Sequence, residues 1–167
     1  MVGNYGKNFI PLLFNIIPDT PSNKRDGLLG CVTAFAAVTE PKLLNSLFQK
    51  VVHRLLQEQT NTATSPEEMA KAEATSHALS DILVAMVEGE GDSKVEGDSY
   101  LKLDKDNLAW LYKVVGPQLS YNDPVMQKKS YKILATLVAR HPSFFADRWQ
   151  DVIASIANGY SHCKPTA

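Results

Sequence analysis

Apolar residues recur every three or four positions through most of this chain, and this spacing constrains its fold more than any other feature. The clearest stretch is 41-PKLLNSLFQKVVHRLLQEQ-59, which carries two adjacent rows of apolar residues with four-residue spacing. The rows are Leu43, Leu47, Val51 and Leu55, and Leu44, Phe48, Val52 and Leu56. Because four residues make slightly more than one helical turn, the two rows predict one helix with a broad apolar face.

Six further segments show the same period and also predict helices. They cover residues 5–17, 25–38, 66–87, 104–119, 123–140 and 142–158. Ser65 to Glu68 supplies an N-cap serine, a proline at the first helical position and early acids, a favourable helix start. Gly159 is expected to end the last helix. No segment alternates with period two, so few or no strands are expected.

The apolar stripes of the first and last segments are expected to pack in the core, as are most aromatic side chains. The stripe of 5–17 is Phe9, Leu12, Leu13 and Ile16; that of 142–158 is Phe145, Trp149, Val152, Ile153 and Ile156. Trp110 is the exception, because it lies beside the apolar row of its segment. It is therefore a candidate exposed anchor for a partner.

Helix pairs that repeat every 35–45 residues are typical of HEAT and armadillo repeats. The spacing of the predicted helices fits this period, so we predict an all-α, HEAT/armadillo-like α-solenoid of about seven antiparallel-paired helices. A compact helical bundle is the alternative. Residues 1–167 are predicted to form a single repeat domain. It is interrupted at about 88–100 by a flexible acidic loop, whose composition cannot offset the entropy of ordering.

Composition sets limits on function. The formal net charge is −1, so any nucleic-acid binding would need a local basic patch. The two cysteines form no CxxC motif and no disulfide framework, which favours a reducing compartment. No apolar run is long enough to cross a membrane, so no membrane partner is expected.

Residue patterns for catalysis or metal binding do not stand out in this sequence. The four histidines lack zinc-site spacing, and no glycine group follows the P-loop or GxGxxG pattern. Cys31 has no nearby histidine that could activate it. We therefore predict no enzyme activity, no catalytic or metal residues, no cofactor and no small-molecule substrate.

Basic residues cluster on the polar side of segment 123–140. They are Lys128, Lys129 and Lys132, and Lys113 on the preceding helix extends the group. These lysines and Trp110 are the candidate contacts for RNA phosphates or an acidic partner. The alternative is a solvated helix face, since charges belong opposite an apolar stripe.

Four phrases, taken in order, resemble the HEAT-repeat family of ribosomal RNA-processing protein twelve, also called the NUC173 domain family. They are 7-KNFIP-11, 40-EPKLLN-45, Leu111-Tyr112 with Pro117 and Leu119, and Asp123 with 127-QKK-129 and Tyr131. The resemblance runs from residue 7 to about residue 160. Members of that family are much longer, so the chain is expected to be an internal fragment.

The resemblance implies a non-catalytic scaffold that acts in pre-40S ribosomal RNA processing and subunit export. Its partners would be proteins of the pre-ribosomal particle and ribosomal RNA, and its location the nucleus and nucleolus, with shuttling to the cytoplasm. The alternative function is a generic HEAT or armadillo adaptor for protein–protein interaction in transport or trafficking.

Overall fold

The computed structural model describes residues 3–36, 39–60, 64–89, 101 and 103–162, and all regular structure within those ranges is helical. Two short 3-10 helices, Ile17–Asp19 and Ser22–Lys24, follow the first α-helix. The α-helices are α1 (Gly3–Ile16), α2 (Asp26–Ala36), α3 (Pro41–Thr60), α4 (Pro66–Glu88), α5 (Lys105–Gln118), α6 (Pro124–Arg140), α7 (Pro142–Phe145) and α8 (Trp149–His162). The all-α prediction is confirmed.

The chain divides into two compact units, unit 1 (Met1–Leu103) and unit 2 (Asp104–Ala167). The predicted acidic loop at 88–100 lies outside the described residues, apart from Glu88 at the end of α4 and Gly89, which caps it. The single repeat domain and the solenoid arrangement stay predictions.

Side chains just before the helices fix where several of them begin. The Ser65 side chain accepts a hydrogen bond from the Glu68 amide, and the Glu68 carboxylate accepts one from the Ser65 amide, which completes a capping box for α4. Asp104 caps α5 through the Asn107 amide at 2.8 Å. Asp123 caps α6 in the same way, through two amides of its first turn. These local signals explain why the predicted starts are right to within a residue or two.

Unit 1 is built around α4, which packs against α2 and α3, while α1 packs against α2. Its core consists of apolar side chains from all four helices, among them Ile10, Val32, Leu44, Phe48, Val52, Leu55, Leu79, Ile82, Leu83 and Met86. The two rows that predicted α3 supply a large part of it.

A largely buried ion pair links the segment before α2 to α4. The Arg25 guanidinium lies 3.4 Å from the Asp81 carboxylate, and its Nε donates a 2.7 Å hydrogen bond to the Thr20 carbonyl. The Arg25 side chain is only 6% exposed. Since a buried guanidinium is tolerated only when it is paired, these contacts hold the short 3-10 segment against α4.

In unit 2, α5 packs against α6, and the predicted helix 142–158 is broken into α7 and α8. An unbroken helix would direct the Arg148 amide to the Phe144 carbonyl. Instead that carbonyl accepts a 2.7 Å hydrogen bond from the Arg148 guanidinium, and the Arg148 amide donates to Phe145 at 2.9 Å. The guanidinium also lies 4.2 Å from the centre of the Phe144 ring, a cation–π contact.

The prediction that Gly159 ends the last helix is wrong, because α8 continues to His162. Gly159 is buried, and a Cβ at this position would collide with the Leu119 carbonyl at the end of α5 and lie 2.6 Å from the Tyr131 hydroxyl. The glycine is therefore a close-approach residue that lets α8 pack on the α5–α6 connection.

Several side chains that were predicted to be in the core are exposed. Leu12 and Ile16 of α1 are exposed, and Phe9 is half-exposed although its ring stacks on Phe35 of α2, whereas α1 buries Ile10, Leu13 and Phe14. On α8 only Val152 of the predicted stripe is buried, while Trp149, Ile153, Ile156 and Tyr160 are exposed. These four residues, spaced at helical intervals, form what we call the α8 apolar stripe. Helical periodicity predicted these helices correctly, but it did not predict which of their apolar side chains are buried.

Candidate functional site

The predicted lysines of α6 lie on the side of the helix that faces away from its buried residues. Lys128 and Lys132 are exposed and one turn apart, and Lys129 between them is partly exposed. The buried residues of α6 are Met126, Gln127, Ser130, Ile133, Leu134 and Leu137. With a rotation of about 100° per residue, Lys128 lies almost opposite the middle of that buried set. We call these three lysines the α6 basic face.

The other two predicted contacts, Trp110 and Lys113, lie on α5. Both are exposed, Trp110 to 49%, and the three-residue spacing places them on the same side of the helix. The five predicted residues thus occupy the exposed sides of two helices that pack against each other. The exposure of Trp110 agrees with the prediction that it lies beside the apolar row of its helix.

Tyr112, which lies between Trp110 and Lys113 in sequence, belongs to the packing of unit 2. Its ring meets Phe145 edge-on, with 5.9 Å between ring centres. Burial raises the pKa of the Tyr112 hydroxyl above its ordinary value, and a hydrogen bond with Ser155 partly opposes that rise. The hydroxyl therefore stays protonated at neutral pH and ties α5 to α8.

Two further exposed side chains that sequence reasoning missed are Tyr121, in the connection between α5 and α6, and Val125, in the first turn of α6. Gln127 stabilises this turn from within, because its buried amide group donates to the Tyr121 carbonyl at 2.7 Å and to the Leu119 carbonyl at 3.3 Å. Val125 lies three residues before Lys128, and this spacing was the signal that could have placed it beside the lysines.

Charge is divided unevenly between the two units, a feature that the whole-chain value of −1 conceals. Unit 2 holds eight lysines and arginines against five aspartates and no glutamate, whereas unit 1 holds nine against thirteen acidic residues. Helix α6 contains four basic residues and no acidic one. The basic residues of unit 2 are therefore concentrated on the helix that carries the predicted contacts.

None of the helices in the described residues has the length and hydropathy needed to cross a membrane. The surface of α6 can attract anions and the α8 apolar stripe can pack against another apolar surface. Both are means of binding a macromolecule.

No protein-family model matches the chain. It is similar to an RRP12-like protein of Gallus gallus, at 30% identity over 143 residues, and to a putative ribosomal RNA-processing protein 12 of Schizosaccharomyces pombe, at 27% over 138 residues. A human RRP12-like protein is 25% identical over 144 residues. The alignments cover 83%, 81% and 83% of this chain but 9%, 11% and 9% of those proteins. The chain is therefore similar to RRP12-like proteins over about a tenth of their length.

Proposed function

We propose that the chain is part of a helical-repeat scaffold that acts in ribosomal RNA processing by surface contact, without catalysing a reaction. The names of its relatives support the process, and the all-α fold supports the scaffold. In the same proposal, the scaffold works on pre-40S particles in the nucleus and nucleolus and accompanies the subunit to the cytoplasm. Its partners are proteins of the particle and ribosomal RNA.

The α6 basic face is the observation that carries the RNA contact. Lys128 and Lys132 face solvent on a helix that holds four basic residues and no acidic one. Each lysine that neutralises a phosphate releases condensed counterions, which favours binding strongly at low salt. The positive excess of unit 2 adds a longer-range attraction for a polyanion.

A protein–protein adaptor is the second candidate function, and the α8 apolar stripe favours it. Ile153 is 62% exposed and Tyr160 is 80% exposed, and exposed apolar side chains in a continuous row commonly mark an interface. Trp110 on α5 is a second exposed aromatic of the kind that anchors partners. A scaffold could use both kinds of contact, so the experiment must separate them.

Salt-dependent RNA binding by the 167-residue chain tests the first function. We expect binding at about 50 mM salt that weakens steeply as salt is raised. Lys128→Glu with Lys132→Glu should reduce the slope of log affinity against log salt by about 1.4, which corresponds to two phosphate contacts on a single strand. The matched control is Lys42→Glu with Lys50→Glu, which makes the same charge change on exposed lysines of α3.

Two results would overturn the RNA contact. One is no binding at about 50 mM salt, where phosphate contacts are strong. The other is an equal loss of RNA affinity in the α3 control, which would indicate that binding depends on net charge and not on the α6 surface. For the process itself, the full-length protein should co-purify with pre-ribosomal particles, and its absence from them would contradict the proposal.

A further inference from the structure

We propose that the turn before α6 and the exposed side of that helix form a site for single-stranded RNA, in which Tyr121 stacks on an unpaired base while Lys128 and Lys132 hold neighbouring phosphates. This inference rests on the proposed function, because it needs RNA at the α6 basic face. It goes further by naming the form of the strand and the residue that contacts a base.

The turn that carries Tyr121 is held in one conformation by its hydrogen bonds. The Tyr121 amide donates to the Gln118 carbonyl at 3.3 Å, and the Tyr121 carbonyl accepts from the Gln127 side chain at 2.7 Å. Gln127 itself is buried, so its amide group is fixed by the packing of α6. A ligand that meets a turn already ordered in this way loses little affinity to conformational entropy.

The ring of Tyr121 is available to a ligand. The residue is 37% exposed, in a polar connection between two helices. Aromatic side chains beside basic residues are the usual elements of single-strand binding, because every base offers a flat face for stacking. In a duplex the bases are paired and stacked on each other, so this contact selects for an unpaired strand.

The spacing along α6 suits a nucleic-acid backbone. Val125, Lys128 and Lys132 follow each other at intervals of three and four residues, so they share the exposed side of the helix. Lys128 and Lys132 are separated by about 6 Å along the helix axis, a distance similar to that between neighbouring phosphates of an extended strand. Val125 supplies an apolar surface between the lysines and the turn.

Asp123 sets the direction in which the strand lies. Its carboxylate accepts hydrogen bonds from the Val125 amide at 2.9 Å and the Met126 amide at 3.1 Å. These amides of the helix start are therefore already bonded, and the negative charge disfavours a phosphate at this end. The phosphates accordingly belong at Lys128 and Lys132, and the base at the turn.

Fluorescence anisotropy with a labelled oligouridylate of about 10 nucleotides, a length within the usual range of single-strand sites, tests the inference. An RNA duplex of equal length is the second probe. Tyr121→Ala should weaken binding of the single strand about 5- to 100-fold, the loss of one base stack, and leave duplex binding unchanged. Tyr121→Phe should bind like the unchanged chain, because stacking needs the ring and not the hydroxyl.

The control is Tyr160→Ala, which removes another exposed tyrosine of unit 2 and should have no effect on RNA binding. Circular dichroism melts establish that each variant is folded. Should Tyr121→Ala unfold, Tyr121→Leu keeps apolar bulk without the aromatic face and should show the same loss of single-strand affinity.

The outcomes separate this inference from the function on which it rests. If the α6 lysine variant loses affinity but Tyr121→Ala and Tyr121→Leu do not, RNA contact stands and the stacking site is wrong. Duplex binding as tight as single-strand binding would also overturn the site. If the chain binds neither RNA, both proposals are overturned. Lysine-dependent binding of poly-glutamate in the absence of RNA binding would also overturn both, and it would indicate an acidic protein partner.

Discussion

Gly159 in α8 packs directly against the main-chain carbonyl of Leu119 at the end of α5, and any side chain at residue 159 would occupy the space of that oxygen. The same carbonyl accepts a hydrogen bond from the Gln127 side chain of α6 at 3.3 Å. Three helices of unit 2 thus meet at one backbone group. Since backbone atoms cannot move aside as a flexible side chain can, the contact requires glycine.

Gly159→Ala is therefore expected to lower the free energy of unfolding by about 1–3 kcal/mol through overpacking, despite the higher helix propensity of alanine. Urea denaturation measures the change. Gly30→Ala is the matched control, because Gly30 lies within α2 and a Cβ there would meet nothing within 4 Å. That substitution should stabilise the chain by about 0.5–1 kcal/mol. Equal effects of the two variants would contradict the packing described for α8.

Arg25→Ala is expected to destabilise unit 1 by about 3 kcal/mol, because it removes the buried guanidinium that pairs with the Asp81 carboxylate. It also removes the hydrogen bond to the Thr20 carbonyl. Arg54→Ala, at an exposed position of α3, should change stability by less than about 0.5 kcal/mol. Urea denaturation of the two variants under the same conditions measures the free energy of unfolding of each. Similar losses of stability in both would show that the ion pair contributes little.

The capping box of α4 should make the start of that helix sensitive to acid. Hydrogen bonds from the Thr64 amide and hydroxyl, and then from the Ser65 amide, lower the pKa of Glu68 from its ordinary value of 4.5. A lowered folded-state pKa means that the stabilisation is present above the ordinary value and is lost as pH falls through the folded-state value. An NMR titration of the Glu68 carboxyl carbon measures this pKa directly.

In the same experiment, Thr64→Val removes the hydroxyl that donates to the Glu68 carboxylate at 3.1 Å and should allow the Glu68 pKa to rise towards its ordinary value. Glu67→Gln changes the neighbouring acid, also in the first turn of α4, and should leave the Glu68 titration nearly unchanged. A Glu68 carboxyl that titrates at 4.5 in the unchanged chain would contradict the capping geometry.

The α8 apolar stripe should cause the isolated chain to self-associate as its concentration rises, because association buries Trp149, Ile153, Ile156 and Tyr160. Ile153→Asp places a charge in the middle of the stripe and should shift the chain towards monomer. Ala154→Asp adds the same charge to an exposed neighbouring position on α8 and should have a smaller effect. Sedimentation velocity measures the distribution; a chain that is monomeric at all concentrations would be the contrary result.

Much of the fold could be predicted from the sequence where the signals are local. Ser65, Asp104 and Asp123 each bond to amides within the next three residues, so the start of a helix is encoded in a few adjacent positions. The apolar rows of α3 likewise identified its buried side. Contacts between distant residues were not predictable in this way. The role of Gly159 depends on Leu119, forty residues earlier, and no periodicity signals that approach.

The candidate site likewise contains residues whose exposure could be predicted from the sequence and residues for which it could not. Lys128 and Lys132 could be placed on an exposed face, because the buried side of α6 is evident from its apolar spacing. Tyr121 could not, because the exposure of a residue in a turn is set by tertiary hydrogen bonds such as those from Gln127. The uneven charge was missed for a simpler reason, since a net value near zero does not show how two units share it.

The adjacent residues Gln127 and Lys128 lie about 100° apart around α6, so that Gln127 reaches the turn while Lys128 faces solvent. The position that maintains the architecture and the position proposed to meet a ligand are therefore neighbours in sequence with separate contacts. Mutation at residue 128 can change affinity, charge or ligand preference without disturbing the fold, while residue 127 stays constrained. This separation gives α6 an evolvable exposed surface, whose charge and shape can change while the helix beneath it remains the same.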